Sequence, residues 1–424
     1  MTTYFEEREA ATTREREESL LARLPAALKR ARERAPAIAQ QLQGLDPDAI
    51  SHRADLELIP VIRKSELLQA QLSMRQGQAG SQLPAVSRIF GGFSAIGWGE
   101  AMRVFASPGP IYEPESKRPD YWGFARSLHA AGFRPGELVY NCFSYHFTPA
   151  GSMMETAAHA LGCTVFPGGV GQTEQQVQAI ADLAPSGYTG TPSFLKIILE
   201  KAAQLGVELP SLKRALFSGE AFPPSLRSWF AERGIDGYQA YGSADLGMMA
   251  YETRAREGLV VNEDIILEIV RPGTNQPLPE GEVGEVVVTT LNPDYPLVRF
   301  GTGDLSAILP GASPCGRTNM RIKGWMGRAD QTTKVRGMFV HPGQVAGVLK
   351  RHPEVRKVRL VVSGNVGSDV MVLKAELDHP SQDALARIAD SVRELTKLRA
   401  DIQPVEPGSL PNDGKVIDDI RSYE

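Results

Sequence analysis

Four clusters of glycines with charged or hydroxyl side chains are the places in this sequence where residue types and spacing could do chemistry. They cover residues 241–247, 298–304, 321–337 and 410–416. Glycines let a backbone pass close to a ligand, and Asp304 could accept hydrogen bonds from a pair of hydroxyls. The alternation of bases and glycines in the third cluster favours contact with a polyanion or a mobile joint.

Each cluster also has a simpler interpretation. Ser243 or Asp245 could cap a helix that follows a strand ending at Gln239. The segment with Asp304 could be a plain turn, the basic cluster a solvated loop, and Lys415 an ordinary surface lysine. Taken one at a time, the clusters leave both interpretations open.

The order and separation of the four clusters resemble the motif series of the superfamily of acyl-CoA synthetases, adenylation domains and luciferases. Residues 241–245 resemble its Tyr-Gly-x-Thr/Ser-Glu motif and residues 302–304 its Thr-Gly-Asp motif. Residues 327–330 resemble its Gly-Arg-x-Asp hinge, and residues 411–416 resemble its Pro-x-x-x-Gly-Lys loop, one residue shorter. Four ordered matches are much harder to obtain by chance than one.

Within that superfamily, four further segments resemble phenylacetate-CoA ligases: residues 141–154, 190–193, 217–220 and 341–342. The resemblance covers essentially the whole chain. It implies an ATP-dependent carboxylate-CoA ligase that works through an acyl-AMP intermediate and uses ATP, Mg²⁺ and coenzyme A. The alternatives are an acyl-adenylating enzyme with another acceptor and a non-catalytic acyl-CoA or nucleotide-binding relative.

The resemblance assigns nucleotide-binding roles position by position. Ser218, Gly219 and Glu220 would border the adenine. Tyr241 would stack on it, and Gly242 and Ser243 complete that motif. Further along the chain, Asp304 would hold the ribose hydroxyls and Arg328 would lie near the nucleotide.

The resemblance also assigns the catalytic and moving parts. Lys415 would reach the substrate carboxylate and the α-phosphate, where an ammonium offsets the repulsion of two anions. Asp245 stands where the family's magnesium-linked glutamate stands. Asp330 would be the hinge that brings Lys334 and Gly337 to the thioester site.

The phosphate loop departs from the family pattern. Where relatives have Ser-Ser-Gly-Thr-Thr-Gly-Lys-Pro, residues 105–114 read Phe-Ala-Ser-Pro-Gly-Pro-Ile-Tyr-Glu-Pro. Only Ser107 and Gly109 match in kind, the lysine is absent, and Glu113 adds negative charge. Three prolines remove three backbone donors, so a nest of amides for a triphosphate is not expected here.

An aromatic segment stands where the resemblance places the acyl pocket. It contains Phe143, Tyr145, His146 and Phe147. A ring-bearing acid suits such a lining, so an aryl or arylacetic acid is the first choice of substrate and a fatty acid the second. Core packing of the aromatic rings and a structural role for His146 are the competing interpretations.

Length and composition are those of an ordinary globular protein. The 424 residues predict more than one domain, and a net charge of -4 gives no reason to expect nucleic acid or a membrane as partner. Three widely separated cysteines predict buried thiols, and no zinc-binding spacing is present. We expect a cytoplasmic protein, and the resemblance implies a possible homodimer.

Hydrophobic periodicity predicts an α/β fold of layered sheets and helices. Strands are expected at 138–143 and 164–166, helices at 173–183 and 193–205, and antiparallel strands at 265–270 and 285–291. Residues 14–35 are predicted to form a helical hairpin whose second helix starts at Pro25. A change of pattern divides the chain into a large AMP-binding and acyl-binding domain, 1–329, and a small mobile α+β domain, 330–424.

Overall fold

The structure is a computed structural model that describes residues 4–77, 85–107, 110–331, 333–335, 338–364, 369–412 and 415–421. Its contacts divide the chain into two compact units. Unit 1 comprises Met1–Thr302 and Ala307–Gly324, and unit 2 comprises Gly303–Ser306 and Trp325–Glu424. Among the described residues, no helix has an apolar stretch that could cross a bilayer.

The helices of unit 1 lie over its sheets. They are α1 Thr13–Arg34, α2 Pro36–Gln41, α3 Lys64–Arg75, α4 Ala85–Ile89, α5 Ala125–Ala130, α6 Ala150–Leu161, α7 Thr173–Leu183, α8 Pro192–Leu205 and α9 Pro224–Ala231. Short 3-10 turns occupy Glu7–Ala10, Pro47–Ala49 and Arg53–Leu58. The predicted helices at 173–183 and 193–205 are therefore confirmed.

The largest sheet of unit 1 has the strand order β14-β15-β10-β9-β8-β7-β6-β4-β5. Its strands are β4 Leu138–Asn141, β5 Thr164–Phe166, β6 Gly187–Gly190, β7 Arg214–Phe217, β8 Asp236–Ser243, β9 Gly247–Glu252, β10 Leu259–Val261, β14 Ile308–Leu309 and β15 Arg321–Ile322. The half from β5 to β8 is parallel, with helices connecting its strands, whereas β8 to β14 is antiparallel. The predicted α/β fold is confirmed.

Two smaller sheets complete unit 1. One has the order β1-β13-β12-β11, from β1 Ile62–Arg63, β11 Ile265–Val270, β12 Gly284–Thr290 and β13 Phe300–Ser306, which continues into unit 2. The other is the hairpin of β2 Ala101–Ser107 and β3 Ile111–Ser116. The predicted antiparallel pairing of the segments at 265–270 and 285–291 is confirmed by β11 and β12.

The predicted helical hairpin at residues 14–35 is wrong, because α1 is one continuous helix with Pro25 inside it. Proline removes one intrahelical hydrogen bond at this point. The buried stripe of Leu20, Leu24 and Leu28 passes through the proline without a break and packs into the same core as β11 and β12. Continuous burial of that stripe outweighs the local cost of the proline.

Unit 2 is a four-stranded sheet with two helices and a small hairpin. Its elements are β16 Thr333–Val335, β17 Met338–Val340, α10 Pro342–Arg351, β18 Val355–Ser363, β19 Val370–Leu377, α11 Gln382–Thr396, β20 Asp401–Val405 and β21 Ile417–Asp419. The sheet order is β20-β19-β18-β21. Ser381 caps α11, and its oxygen accepts from the Ala384 N–H at 3.2 Å.

Candidate active site

Three loops and the extended end of one strand of unit 1 lie at the carboxyl edge of the parallel strands. They follow β4, β6, β7 and the parallel part of β8, which ends at Gln239 beside Phe217 of β7. In open parallel sheets, ligands bind outside this edge, because successive loops line a common crevice there. The same edge carries most of the predicted residues of unit 1.

The segment Ser218, Gly219 and Glu220 directly follows β7. The Ser218 N–H donates to the Gly190 carbonyl at 3.4 Å, and Glu220 Oε2 accepts from the Ser193 N–H at 3.4 Å. Gly219 has φ +78°, and a side chain added there would meet its first neighbours, Phe143 and Thr191, only at 4.0 Å. The segment therefore lies beside the aromatic segment and leaves open space next to it.

The Tyr241 motif is not a turn between a strand and a helix, which was the simpler of the two interpretations that the sequence left open. Strand β8 runs on to Ser243 and returns as β9, so the motif is the end of a β-hairpin. Gly242 is required here, since a Cβ would lie 2.8 Å from both the Gly247 carbonyl oxygen and the Phe124 ring. The Ser243 oxygen accepts from the Leu246 N–H at 3.2 Å and closes the turn that holds Asp245.

Asp245 is buried in an ion pair that the sequence did not indicate. Lys64 Nζ lies 2.7 Å from Asp245 Oδ2, and the two side chains are 32% and 1% exposed. Asp245 Oδ1 has no hydrogen-bond partner among the described residues. Burial, and then the nearby charge of Asp245, raise the pKa of Glu113 to about 8, against the opposing effects of Ser107 and Lys64.

The segment in place of the phosphate loop is the closed hairpin β2–β3. Ser107 is buried, its N–H donates to Glu113 Oε2 at 3.3 Å, and its hydroxyl donates to Glu113 Oε1. Gly109 lies outside the described residues. Both donors of Ser107 are thus used inside the hairpin, which is consistent with the departure from the family pattern.

The aromatic segment after β4 is half buried and half exposed. Phe143 is buried, and the Tyr145 hydroxyl accepts from Asn141 Nδ2 at 2.8 Å. His146 and Phe147 are exposed, and Phe147 has φ +62° with 81% of its surface open. Its carbonyl accepts from the Ala106 N–H at 2.8 Å, so this loop is tied to β2.

Asp304 and Arg328 form an ion pair within unit 2. Arg328 Nη1 donates to Asp304 Oδ1 at 3.0 Å, and the Trp325 indole donates to the same oxygen at 3.2 Å. Gly303 has φ +74°, and a Cβ there would come within 2.5 Å of Arg328 Nη2. Gly303 is therefore required by the close approach of Arg328, and the close approach of this backbone to a ligand stays a prediction.

The lysine loop and the hinge segment also belong to unit 2. Lys415 is about half exposed and its Nζ lies 3.5 Å from Asp418 Oδ1. Asp330 lies in the 3-10 turn Ala329–Gln331 and Lys334 in β16, and of both only the backbone is described. Gly337 lies outside the described residues.

Comparison with known proteins agrees with this geometry. Fold and site define an AMP-binding enzyme, and the model of the family described as "AMP-binding enzyme" matches residues 121–292. Phenylacetate-coenzyme A ligase of Thermus thermophilus is 35% identical over 353 residues, which are 80% of this chain and 75% of that protein. The chain belongs to the phenylacetate-CoA ligase family, as the sequence predicted.

Two further relatives extend the comparison over nearly the whole chain. Phenylacetate-coenzyme A ligase of Escherichia coli K12 is 28% identical over 430 residues, with 94% of both chains covered. An open conformation of 2-hydroxyisobutyryl-CoA ligase, in complex with 2-HIB-AMP and CoA, has a TM-score of 0.85 at 23% identity. That structure covers 98% of this chain and 94% of its own, and the likeness establishes the fold.

Proposed function

We propose that this protein joins an aryl or arylacetic acid to coenzyme A, first forming an acyl-AMP from ATP and then the thioester. The observation that carries the proposal is the meeting of Phe143, Ser218–Gly219–Glu220 and the Tyr241 hairpin at one edge of the parallel sheet. This arrangement offers an apolar wall for an acid next to polar groups for a nucleotide.

Each unit, taken by itself, carries groups that suit a nucleotide. Tyr241 is half buried and would stack on the adenine, with Gly219 and Glu220 exposed at its border. Asp304 would accept from the ribose hydroxyls, and Arg328 would hold that side chain in place until the sugar binds. Supporting this assignment, each group is an exposed or partly exposed polar side chain in its own unit.

Lys415 would act at the reacting carboxylate and α-phosphate. Its ammonium is partly exposed and lies 3.5 Å from Asp418 Oδ1, and an exposed ion pair of this kind contributes little to stability. Unit 2 would turn about Asp330 after adenylation, which would withdraw Lys415 and bring the segment with Lys334 and Gly337 to the thioester site. The CoA thiolate is then the nucleophile, and no protein nucleophile is needed.

Asp245 fits a role in holding Mg²⁺. Its buried Oδ1 has no hydrogen-bond partner among the described residues, and a carboxylate oxygen is the ligand that Mg²⁺ prefers. The described residues contain no group of three or more His, Cys, Asp or Glu side chains that could hold a metal. Asp245 would therefore share the ion with phosphate oxygens, and bound Mg²⁺ would offset charge on the leaving pyrophosphate.

The aromatic segment favours a ring-bearing acid over a fatty acid. The ring of Phe143 borders the open space beside Gly219, and the ring of Tyr145 packs against Gly151, where a Cβ would lie 2.9 Å from it. An aromatic ring that borders open space suits a flat, ring-bearing substrate. Phe147 is free to cover the entrance, whereas His146 would sit at the rim.

ATP–pyrophosphate exchange with a panel of aryl, arylacetic and fatty acids tests the proposal. We expect exchange with a ring-bearing acid, loss of exchange in Lys415→Ala, and faster AMP release when CoA is added. Lys397→Ala, which removes another lysine of unit 2, is the control. Exchange without any effect of CoA would indicate another acceptor, and no exchange with any acid would contradict the proposal.

We also propose that the protein acts in the cytoplasm, as a possible homodimer. Cys142, Cys163 and Cys315 are free and buried, which suits a reducing compartment. Light scattering of the purified protein tests the dimer, and a mass of one chain at all concentrations would contradict it.

A further inference from the structure

The hairpin that stands in place of the phosphate loop cannot supply a cation to phosphates from its turn. Residues 104–116 contain no lysine or arginine. Arg103, at the start of β2, lies 3.4 Å from the buried Glu115. Ser107 directs both its N–H and its hydroxyl to Glu113. A triphosphate at this edge therefore needs positive charge from another element.

Lys64 brings an ammonium to this place from a distant part of the sequence. Strand β1 pairs in parallel with β13, with Arg63 opposite Gly301. Lys64 directly follows Arg63, and Thr302 directly follows Gly301. Lys64 therefore lies beside the start of the Thr-Gly-Asp motif. Its Nζ reaches Asp245 of the Tyr241 hairpin at 2.7 Å. Lys64 thus connects two motifs of the nucleotide site.

Two buried polar atoms near the Asp245 carboxylate lack hydrogen-bond partners among the described residues. Asp245 is 4% exposed and its Oδ1 makes no hydrogen bond among the described residues. The Tyr295 hydroxyl is also buried and has no such partner. Burial, together with the negative charges of Asp245 and Glu113, raises the pKa of Tyr295, which shows that these groups share one environment. Buried polar atoms without partners are rare and indicate a missing ligand or water.

The charges at this place require Lys64 if an anion is to bind. Asp245 and Glu113 are both acidic, and Lys64 is the cation that acts on Glu113. The neighbouring Arg63 is engaged elsewhere, since its Nε lies 3.2 Å from Glu285. Without Lys64, phosphates would approach the Asp245 carboxylate in a poorly solvated place, where like charges repel strongly. Lys64 is also 32% exposed, so its ammonium can turn to a ligand while it stays near Asp245.

We propose that Lys64 is the residue that binds the β- and γ-phosphates of ATP in this chain, in place of the lysine that the phosphate loop lacks. The inference rests on the proposed function for its nucleotide. The local sequence around Lys64 does not indicate this role. The Lys64 ammonium would supply the positive charge that the closed β2–β3 hairpin lacks. AMP, which has no β- or γ-phosphate, should not depend on Lys64.

Direct binding of ATP and of AMP to the whole protein tests this, by calorimetry with Lys64→Gln. We expect the Kd for ATP to rise about tenfold or more, as for loss of a charge-assisted hydrogen bond, with the Kd for AMP unchanged within about twofold. Lys201→Gln is the matched control, because Lys201 is 31% exposed and pairs with Glu174 at 3.2 Å on the helices α7 and α8. Lys64→Arg, which keeps the charge, should retain most of the ATP affinity.

A second pair of variants removes the effect of an unpaired buried carboxylate. Asp245→Asn alone is compared with Asp245→Asn combined with Lys64→Gln, so neither variant leaves a buried charge without a partner. Equal ATP affinity in these two variants, or an equal loss of ATP and AMP affinity in Lys64→Gln, would overturn the proposal. A protein that binds ATP through Lys64 but activates no acid would contradict the proposed function and leave the role of Lys64 standing.

Discussion

The side-chain oxygen of Gln331 accepts a 2.8 Å hydrogen bond from the backbone N–H of Val416. Gln331 directly follows the predicted hinge Asp330, and Val416 directly follows Lys415. The start of the same loop is fixed separately, because Lys357 Nζ donates to the Pro411 carbonyl at 2.8 Å. The position of the predicted catalytic lysine is therefore coupled to the hinge within unit 2.

Gln331→Ala should lower the adenylation rate about tenfold, as measured by ATP–pyrophosphate exchange at saturating ATP. Loss of the hydrogen bond frees the Lys415 loop, and small misplacements of catalytic groups have large effects on rate. Thioester formation from a supplied acyl-AMP should change little, because Lys415 is withdrawn in that step. Gln344→Ala is the control, since Gln344 also bonds to backbone in unit 2, at 2.8 Å from the Leu395 carbonyl. Equal loss of both half-reactions would contradict this coupling.

Glu113→Gln should make the protein less sensitive to rising pH. The pKa of Glu113 is raised from 4.5 to about 8, first by burial and then by Asp245. The folded state therefore holds this proton more tightly than the unfolded chain, and the free energy of unfolding falls as pH rises from about 4.5 to about 8. Glutamine resembles the neutral acid and does not titrate. The variant should therefore not show this fall in the free energy of unfolding.

Urea unfolding at pH 5 and pH 8 measures this effect. Relative to wild type, Glu113→Gln should gain at least about 1.4 kcal/mol on going from pH 5 to pH 8, the equivalent of one pKa unit. The exposed Glu232→Gln should follow the wild-type slope. Parallel slopes for Glu113→Gln and wild type would show that Glu113 is not held in its neutral form.

The sequence predicted best what is encoded by short segments. Tyr241, Asp304 and Arg328 belong to local motifs whose order indicated the family, and α7, β5 and β11 follow from local hydrophobic patterns. Hydrophobic periodicity is set within a short window of sequence, so a helix or strand can be predicted from a few neighbouring residues.

Tertiary contacts account for what the sequence did not predict. Lys64 and Asp245 are 181 positions apart, and nothing near Lys64 marks it as a partner of the Tyr241 hairpin. Pro25 indicated a helix start, but the packing of Leu24 and Leu28 against the core keeps α1 whole. A helix cap at Ser243 or Asp245 stayed open as an alternative, because a strand that continues beyond its parallel neighbour leaves no local signal.

Arg16→Ala should destabilise the protein by about 3–5 kcal/mol, because it leaves a buried carboxylate without its partner. Arg16 Nε lies 2.5 Å from Glu263 Oε2, with the side chains only 4% and 2% exposed. Arg14→Ala, two residues earlier on α1, should cost no more than about 0.5 kcal/mol, because its pair with Glu18 is 87% and 62% exposed. Chemical denaturation measures both values. Similar values would mean that α1 is not anchored through Arg16.

Gly303→Ala should weaken the binding of AMP about tenfold by displacing Arg328 from Asp304. The new Cβ would lie 2.5 Å from Arg328 Nη2, and the residue has φ +74°. Gly408→Ala separates the two effects, because Gly408 has φ +81° with nothing within 4 Å of an added Cβ. Both variants should lose about 1–2 kcal/mol from backbone strain, measured by urea unfolding, but only Gly303→Ala should lose AMP affinity in calorimetry. Equal AMP affinity in the two variants would show that the Arg328–Asp304 pair does not contribute to AMP binding.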